Sequence, residues 1–256
     1  MLARLEEMIV ARAGNGPVLN RKLQLAGARR YPGLLRHEFR ETRRPRLPAD
    51  VITIIPTIGR RSLVPAVESA LAQLVDDHLV VVVSDGPQRL PPLPSSVAVI
   101  ETRAQCGVVG VVRNIAIRST QSPFIAFLDD DNTWRPDHLH SCLTAITKNG
   151  ADVVYSSVLR FRPDGSHCDT IGEPWSHDRV RWVNYVDASA IVARRFSGLR
   201  FSRAPRVPTP PFSEDWEFVW RVSRRRRVAW TGAATINYSL SPEQVAFLDG
   251  LRPSPR

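Results

Sequence analysis

Phe124-Ile-Ala-Phe-Leu-Asp129-Asp130-Asp131-Asn132 decides how the rest of the chain is read. Its first five residues are mostly apolar and make a short buried strand, and three adjacent carboxylates follow at the carboxyl end. A parallel α/β sheet buries its strands on both faces and opens its ligand crevice beyond those ends. Three carboxylates crowded there repel one another unless a cation neutralises them. Oxygen ligands of this kind suit a hard divalent ion, Mg2+ or Mn2+. Asp and Asn are also ordinary turn residues, so the triplet alone leaves a plain surface turn open. An EF-hand does not fit, because the loop Gly and late Glu are missing: Thr133, Trp134, Arg135 and Pro136 follow instead.

Upstream of this stretch, 51–55 reads as a strand closed by Pro56. A helix over 62–75 follows, with Leu63, Val67, Leu71 and Leu74 on one stripe. A second strand, 79–83, ends in Ser84-Asp85-Gly86, and a third covers 97–101. A helix over 108–120 has Gly107 and Gly110 near its start. Downstream, a helix runs from Pro136 to about Lys148 with Leu139, Leu143 and Ile146 inward. Gly150 suits its exit, and 151–156 is another strand. This alternation, with continuously apolar strands, specifies an α/β fold whose central sheet is mostly parallel and carries helices on both faces.

Beyond residue 160 the pattern becomes irregular. Pro163-Asp-Gly165 predicts a hairpin turn, 188–193 a strand, 203–211 a Pro-rich loop and 228–238 a strand. Ser213 is placed to cap a helix over 214–224. Ser241, Pro242 and Gln244 read as cap, first-turn proline and capping-box glutamine of a last helix. Residues 1–48 are harder to interpret: a short amphipathic helix fits 2–13, and 40–48 looks like a linker.

The chain has 256 residues and is 43% hydrophobic, enough for a substantial core. Its formal net charge is +10, and residues 1–48 hold eleven Arg/Lys against four Asp/Glu, a net of +7. That excess suits an anionic partner: nucleic acid, a phosphorylated small molecule or an acidic membrane surface. Cys106, Cys142 and Cys168 lack metal-site spacing and are too few for a disulfide scaffold. No run of 18 apolar residues occurs, and nothing resembles a signal peptide. A soluble cytoplasmic protein is expected, free or in peripheral contact with the inner membrane face.

Polar clusters recur where strands end: Pro56-Thr57 with Arg60, Asp85-Gly86 and Asp129–Asp131. Arg113-Asn114 lies within a helix, and Glu214-Asp215 opens another. Together, Ile54-Ile-Pro-Thr57, Val83-Ser-Asp85-Gly86, Gly110-Val-Val-Arg113-Asn114, Phe127-Leu-Asp-Asp-Asp131 and Ser213-Glu214-Asp215-Trp216 resemble the inverting glycosyltransferases of family 2. The resemblance covers roughly 51–240 and implies a GT-A fold, the Rossmann-like fold of nucleotide-diphospho-sugar transferases. It implies a nucleotide-sugar half at 49–158, an acceptor-binding and catalytic half at 159–256, and a basic extension at 1–48.

By that resemblance Pro56, Thr57 and Arg60 lie against the nucleotide, and Asp85 accepts a hydrogen bond from a base such as uracil. Arg113 and Asn114 stand beside the sugar nucleotide. Asp129 touches the ribose or its neighbourhood, Asp130 supports the loop, and Asp131, with Asp129, takes the Mn2+ or Mg2+. Glu214-Asp215 is the catalytic pair, with Asp215 as general base. The expected donor is a UDP-sugar; the acceptor is left open among small molecules, glycans and lipid-linked species, and acceptor access, oligomer contact and membrane approach are the tasks left for 1–48. Many relatives carry a histidine on the strand after the acidic helix. Here the chain reads Trp230 to Ser239 without one, so Asn237 and Tyr238 are the candidates for that place.

Two rivals are weaker. A sugar-phosphate nucleotidyltransferase usually needs a Gly-rich basic loop after the first strand, which Thr57-Ile-Gly59-Arg60-Arg61 imitates thinly. A non-catalytic nucleotide- or nucleic-acid-binding protein would explain the charge, but not carboxylates in mid-sheet that repel phosphate.

Overall fold

The computed structural model describes residues 32–42, 46–181, 183–203 and 214–251. The helix expected over 2–13, the Ser213 cap and most of the Pro-rich loop therefore lie outside the described residues.

Among the described residues the sheet has nine strands. Its first part is β2 (Val51–Thr57), β3 (His78–Ser84), β4 (Ala98–Glu101) and β6 (Phe124–Phe127), all parallel. Val80 to Val83, Ile52, Ile54 and Ile125 are fully buried, as strands covered on both faces must be. Next to β6 lies β10 (Ile191–Arg194), antiparallel both to β6 and to β8 (Val153–Phe161). Beyond β8 come β11 (Val228–Ser239), parallel to it, and the short β7 (Asn132–Trp134), antiparallel to β11. The predicted hairpin turn joins β8 to β9 (His167–Ile171), where Gly165 takes φ +82°. The fold is thus one mostly parallel sheet flanked by helices, as expected.

The strand expected to stop at Pro56 continues through it to Thr57. Thr57 O accepts from Asp85 N on the β3 side and Ile54 O from Leu128 N on the β6 side. Alternation then turns Pro56 toward β6, beyond the last pair Ile54 to Phe127, where no partner requires its missing N–H.

Of the helices, α1 is Pro32–Glu41, α2 Leu63–Leu71, α3 Val109–Ser119, α4 His138–Asn149, α5 Glu214–Ser223 and α6 Pro242–Leu251. Helix α2 is shorter than predicted. Its buried stripe is Leu63, Ala66, Val67 and Ala70. Leu71 lies at the margin of that arc, and Leu74, 70% exposed, would rejoin it only if the helix continued. Gln73 instead turns back, donating to Ser69 O and Arg135 O and accepting from Leu139 N. Helix α4 starts at His138 rather than Pro136 and exits through Gly150 at φ +58°, where a left-handed residue ends it. The capping box of α6 forms as read: Ser241 N donates to Gln244 Oε1 and Gln244 N to Ser241 Oγ.

The expected linker over 40–48 holds the end of α1 and then β1 (Leu47–Pro48), which pairs in parallel with β5 (Thr120–Gln121). Helix α1 is anchored by Glu38, which is fully buried and paired to Arg118 of α3 and to Arg203. No described helix is long and apolar enough to cross a membrane.

Candidate functional site

The carboxyl ends of β2, β3 and β6 open into a cleft of about 460 Å³, closed on the far side by the start of α5. Among its lining residues are Pro56, Thr57, Arg60, Asp85, Arg113, Asp129, Asp130, Asp131, Glu214 and Asp215. Apart from Asn114 and Asn237, every side chain singled out in the sequence for a site role reaches this one cavity.

Each wall has its own bonding. Thr57 Oγ1 donates to Asp130 Oδ2 at 2.6 Å, and Arg60 reaches Asp130 at 3.3 Å and Asp131 at 3.0 Å. Asp130 is therefore spent in bracing the acidic loop against the end of β2. Asp85 accepts Cys106 N and Gly107 N, both at 2.8 Å, one on each oxygen. It staples the 105–107 loop against its own turn, where Gly86 at φ +90° leaves no Cβ to strike Gln105 N. A carboxylate has about four lone-pair sites, so acceptor capacity remains on Asp85 toward the cleft.

Arg113 links the walls. Its guanidinium, 1% exposed, donates to Glu214 Oε1 at 2.7 Å and to Asp129 Oδ1, and lies 4.9 Å from the Phe201 ring centroid. Burial disfavours its charge, but Asp129 and Glu214 outweigh that and hold it more firmly protonated than usual. Asn114, the next residue, turns the other way. It is buried, accepting from Phe201 N at 2.7 Å and donating to Phe201 O and Glu38, so it does not line the cleft.

Asp187, Gln105 and Tyr238 also line the cavity. Asp187 and Gln105 were not found by sequence reasoning, and Tyr238 was one of two candidates. Along β11, Asn237 bonds to Thr133 while Tyr238 lines the cleft, so strand alternation decides between them. Asp187 opens the 3-10 turn Ala188–Ala190, its carboxylate accepting from Ser189 N at 2.7 Å. Ser189 Oγ in turn accepts from Asp129 N at 3.1 Å and Asn132 Nδ2 at 3.0 Å, fixing the acidic loop from below.

Among the described residues, seven carboxylates (Asp85, Asp129, Asp130, Asp131, Asp187, Glu214, Asp215) thus share the cavity with two arginines, Arg60 and Arg113. The excess shows in the protonation equilibria. Burial raises Asp131, with repulsion from Asp129 and Asp130 adding to it and Arg60 opposing. Burial raises Asp130 against the Thr57 hydroxyl and Arg60. Asp187 is pushed up to about 7 by burial and then by Asp129 and Asp215, against its bonds from Ser189.

Among the described residues no group of three or more His, Cys, Asp and Glu is arranged to hold a metal. The donor set still fits Mg2+ or Mn2+. Such ions are commonly held by one or two carboxylates, with phosphate oxygens and water completing the shell. Asp131, its side chain 48% exposed, faces the cleft with the exposed Arg60 against it, and Asp129 adjoins it.

The fold and cleft define a GT-A-like nucleotide-sugar transferase architecture. The sequence profile of the family described as "Glycosyl transferase family 2" matches residues 53–202, and the chain belongs to that family. It is 32% identical over 114 residues to the succinoglycan biosynthesis protein ExoW of Rhizobium meliloti (strain 1021), covering 40% of this chain and 34% of that protein. Crystal structures of S. aureus TarS 1-349 share the fold at 16% identity. The TM-score is 0.56 over 78% of this chain and 63% of TarS, and 0.58 over 79% and 64% for the complex with UDP. For the complex with UDP-GlcNAc it is 0.55 over 75% and 59%. The chain therefore spans about a third of the curated relative and less than two thirds of these TarS chains.

Proposed function

We propose that this protein is an inverting glycosyltransferase that moves a sugar from a UDP-linked donor to an acceptor hydroxyl, with Asp215 as general base. The observation that carries the reading is the single cleft that sets Asp85, Asp129 and Asp131, at parallel strand ends, against Glu214-Asp215 on α5. The S. aureus protein crystallised with UDP and with UDP-GlcNAc has the same fold, which supports a uridine donor.

In this reading Pro56, Thr57 and Asp85 receive the nucleoside, and Arg60 and Arg113 stand nearest the diphosphate. Seven carboxylates would repel such a donor, so Asp131 with Asp129 would hold a divalent ion. Bound there, it would neutralise the diphosphate and the charge that grows on it as a leaving group. Glu214 accepts from the buried Arg113 cation. Asp215 accepts from neutral donors, Trp216 N at 2.6 Å and Asn184 Nδ2 at 3.4 Å. Asp215 removes the acceptor proton as that oxygen bonds to the sugar C1 from the face opposite the diphosphate. The C1–O bond to the diphosphate breaks, and the anomeric configuration inverts.

Thermal shift with UDP tests the donor half of this reading. UDP should stabilise the protein much more with Mn2+ or Mg2+ than with EDTA, because a ligand that binds only the native state adds stability. Asp131→Ala should remove most of the difference. Equal stabilisation in EDTA would end the metal assignment, and a preference for ADP over UDP would end the role given to Asp85.

A further inference from the structure

Residues 32–41 lie outside the region that the family profile matches, yet they bury a carboxylate completely. Glu38 on α1 is 0% exposed. Its Oε1 accepts from Arg118 Nε at 2.8 Å and an Arg203 terminal nitrogen at 2.7 Å; its Oε2 accepts from Arg203 Nε at 2.6 Å and Asn114 Nδ2 at 3.2 Å. A buried charge with four charge-assisted or amide donors is fixed in place, and it fixes its donors in turn.

Those donors hold the chain that passes behind Arg113. Asn114 clamps Phe201 through both its N–H and its C=O. Gly110 lets the same segment approach α3 so closely that a Cβ there would stand 2.0 Å from Ser202 O. The Phe201 ring, 4.8 Å from the Phe127 ring, stacks on Phe218 of α5 at 4.6 Å and 16°, and carries the Arg113 guanidinium on its other contact. Arg113 then reaches Glu214 and Asp129. The path from Glu38 to Glu214 thus runs through Arg203 and Asn114, the Phe201 ring and Arg113.

We infer that Glu38 is a positioning residue. Through Arg203 and Asn114 it sets the 201–203 segment, and thereby the first turn of α5 that carries Glu214 and Asp215. This inference rests on the proposed glycosyl transfer, and it assigns the helix before the family-matched region a task in that reaction.

The discriminating pair is Arg203→Gln and Arg118→Gln. Each removes one arginine from the same buried carboxylate, but only Arg203 belongs to the segment leading toward α5. Arg203 gives Glu38 two bonds and Arg118 one, so their costs in stability can differ, but a role limited to stability predicts unchanged turnover and unchanged exchange across 214–218 in both folded variants. The positioning role predicts that Arg203→Gln lowers turnover by about 10- to 100-fold, since a misplacement of about 1 Å can cost about a hundredfold. Its UDP affinity should stay within about twofold of wild type, and Arg118→Gln should keep full turnover. Turnover is read as UDP release on slow hydrolysis of UDP-GlcNAc or UDP-glucose, whichever wild type cleaves. Amide hydrogen exchange across 214–218 should quicken in Arg203→Gln and not in Arg118→Gln. Glu38→Gln, if it folds, should match Arg203→Gln. Equal turnover and equal exchange in the two arginine variants would overturn the inference. A wild type that neither binds UDP nor cleaves either sugar nucleotide would overturn the functional reading instead, while the exchange comparison would still decide whether Glu38 positions α5.

Discussion

Strands β2, β3 and β6 run toward the cleft, whereas β10, inserted between β6 and β8, runs away from it. On the first three the functional group follows the apolar run: Thr57, Asp85 and Asp129 come just after their strands' buried residues. On β10 the order reverses, and Asp187 precedes Ile191. Val192 faces Ala126 across the ladder, so the residues before Ile191 arrive at the level of Asp129. A strand's direction decides which of its ends carries chemistry, and direction is set by tertiary pairing that local sequence does not record.

The sharpest test of this contrast lies in the reversed half. If α5 supplies the base, Asp215→Asn should reduce turnover by roughly 100-fold to 10,000-fold while UDP affinity stays nearly unchanged. Glu214→Gln should cost less turnover, because Glu214 is held by Arg113. Steady-state UDP release measures both, and NMR of the first glycoside formed should show inverted configuration. An Asp215→Asn enzyme near wild-type rate beside an inactive Glu214→Gln would move the base one residue upstream.

A smaller effect is expected where the two halves touch. Gly110→Ala would drive a Cβ into the backbone at Ser202, and a forced shift of that kind costs about 1–3 kcal/mol. The melting temperature should then fall by roughly 2–12 °C for a chain of this size. An unchanged melting temperature would mean that the 201–203 segment yields freely, and that the halves are joined more loosely than drawn.

The smallest effect concerns Asp187 and depends on pH. Its folded pKa is raised, so the native state binds the proton more tightly than the unfolded chain. Stability contributed by this group is present at low pH and is lost as pH rises from about 4 through about 7. Asp187→Asn should therefore raise the melting temperature in EDTA by a few degrees at pH 8, with a gain that shrinks as pH approaches 4. A gain equal at both pH values would place Asp187 away from Asp129 and Asp215.

The parallel half was legible because its signals are local. Apolar runs such as 79–83 are buried on both faces, and Asp85-Gly86 or Asp129–Asp131 sits directly after them. Capping chemistry was equally local, as Ser241 with Gln244 shows. What escaped was decided at a distance. Strand β7 is three residues long and exists through its pairing with β11. Asn114 shares a helix with Arg113, but its neighbours Glu38 and Phe201 lie 76 and 87 positions away in sequence. Gln105 enters the cleft only because Asp85 gathers the loop around it.

Arg113 carries a consequence for how the chain could have been assembled. One of its two carboxylate partners, Asp129, is 16 positions away, and the other, Glu214, is 101. A cation sealed in the interior against one anion is strained relative to one sealed against two, and breaking a buried pair costs about 3–5 kcal/mol. A fragment ending after β8 would keep the near partner and lack the far one, so its own interior would resist dehydration around α3. Cooperative closure of the whole chain is thereby tied to assembly of the cleft. Chimeras that exchange the region after β8 would keep that tie only where the incoming helix brings an acid to the position of Glu214.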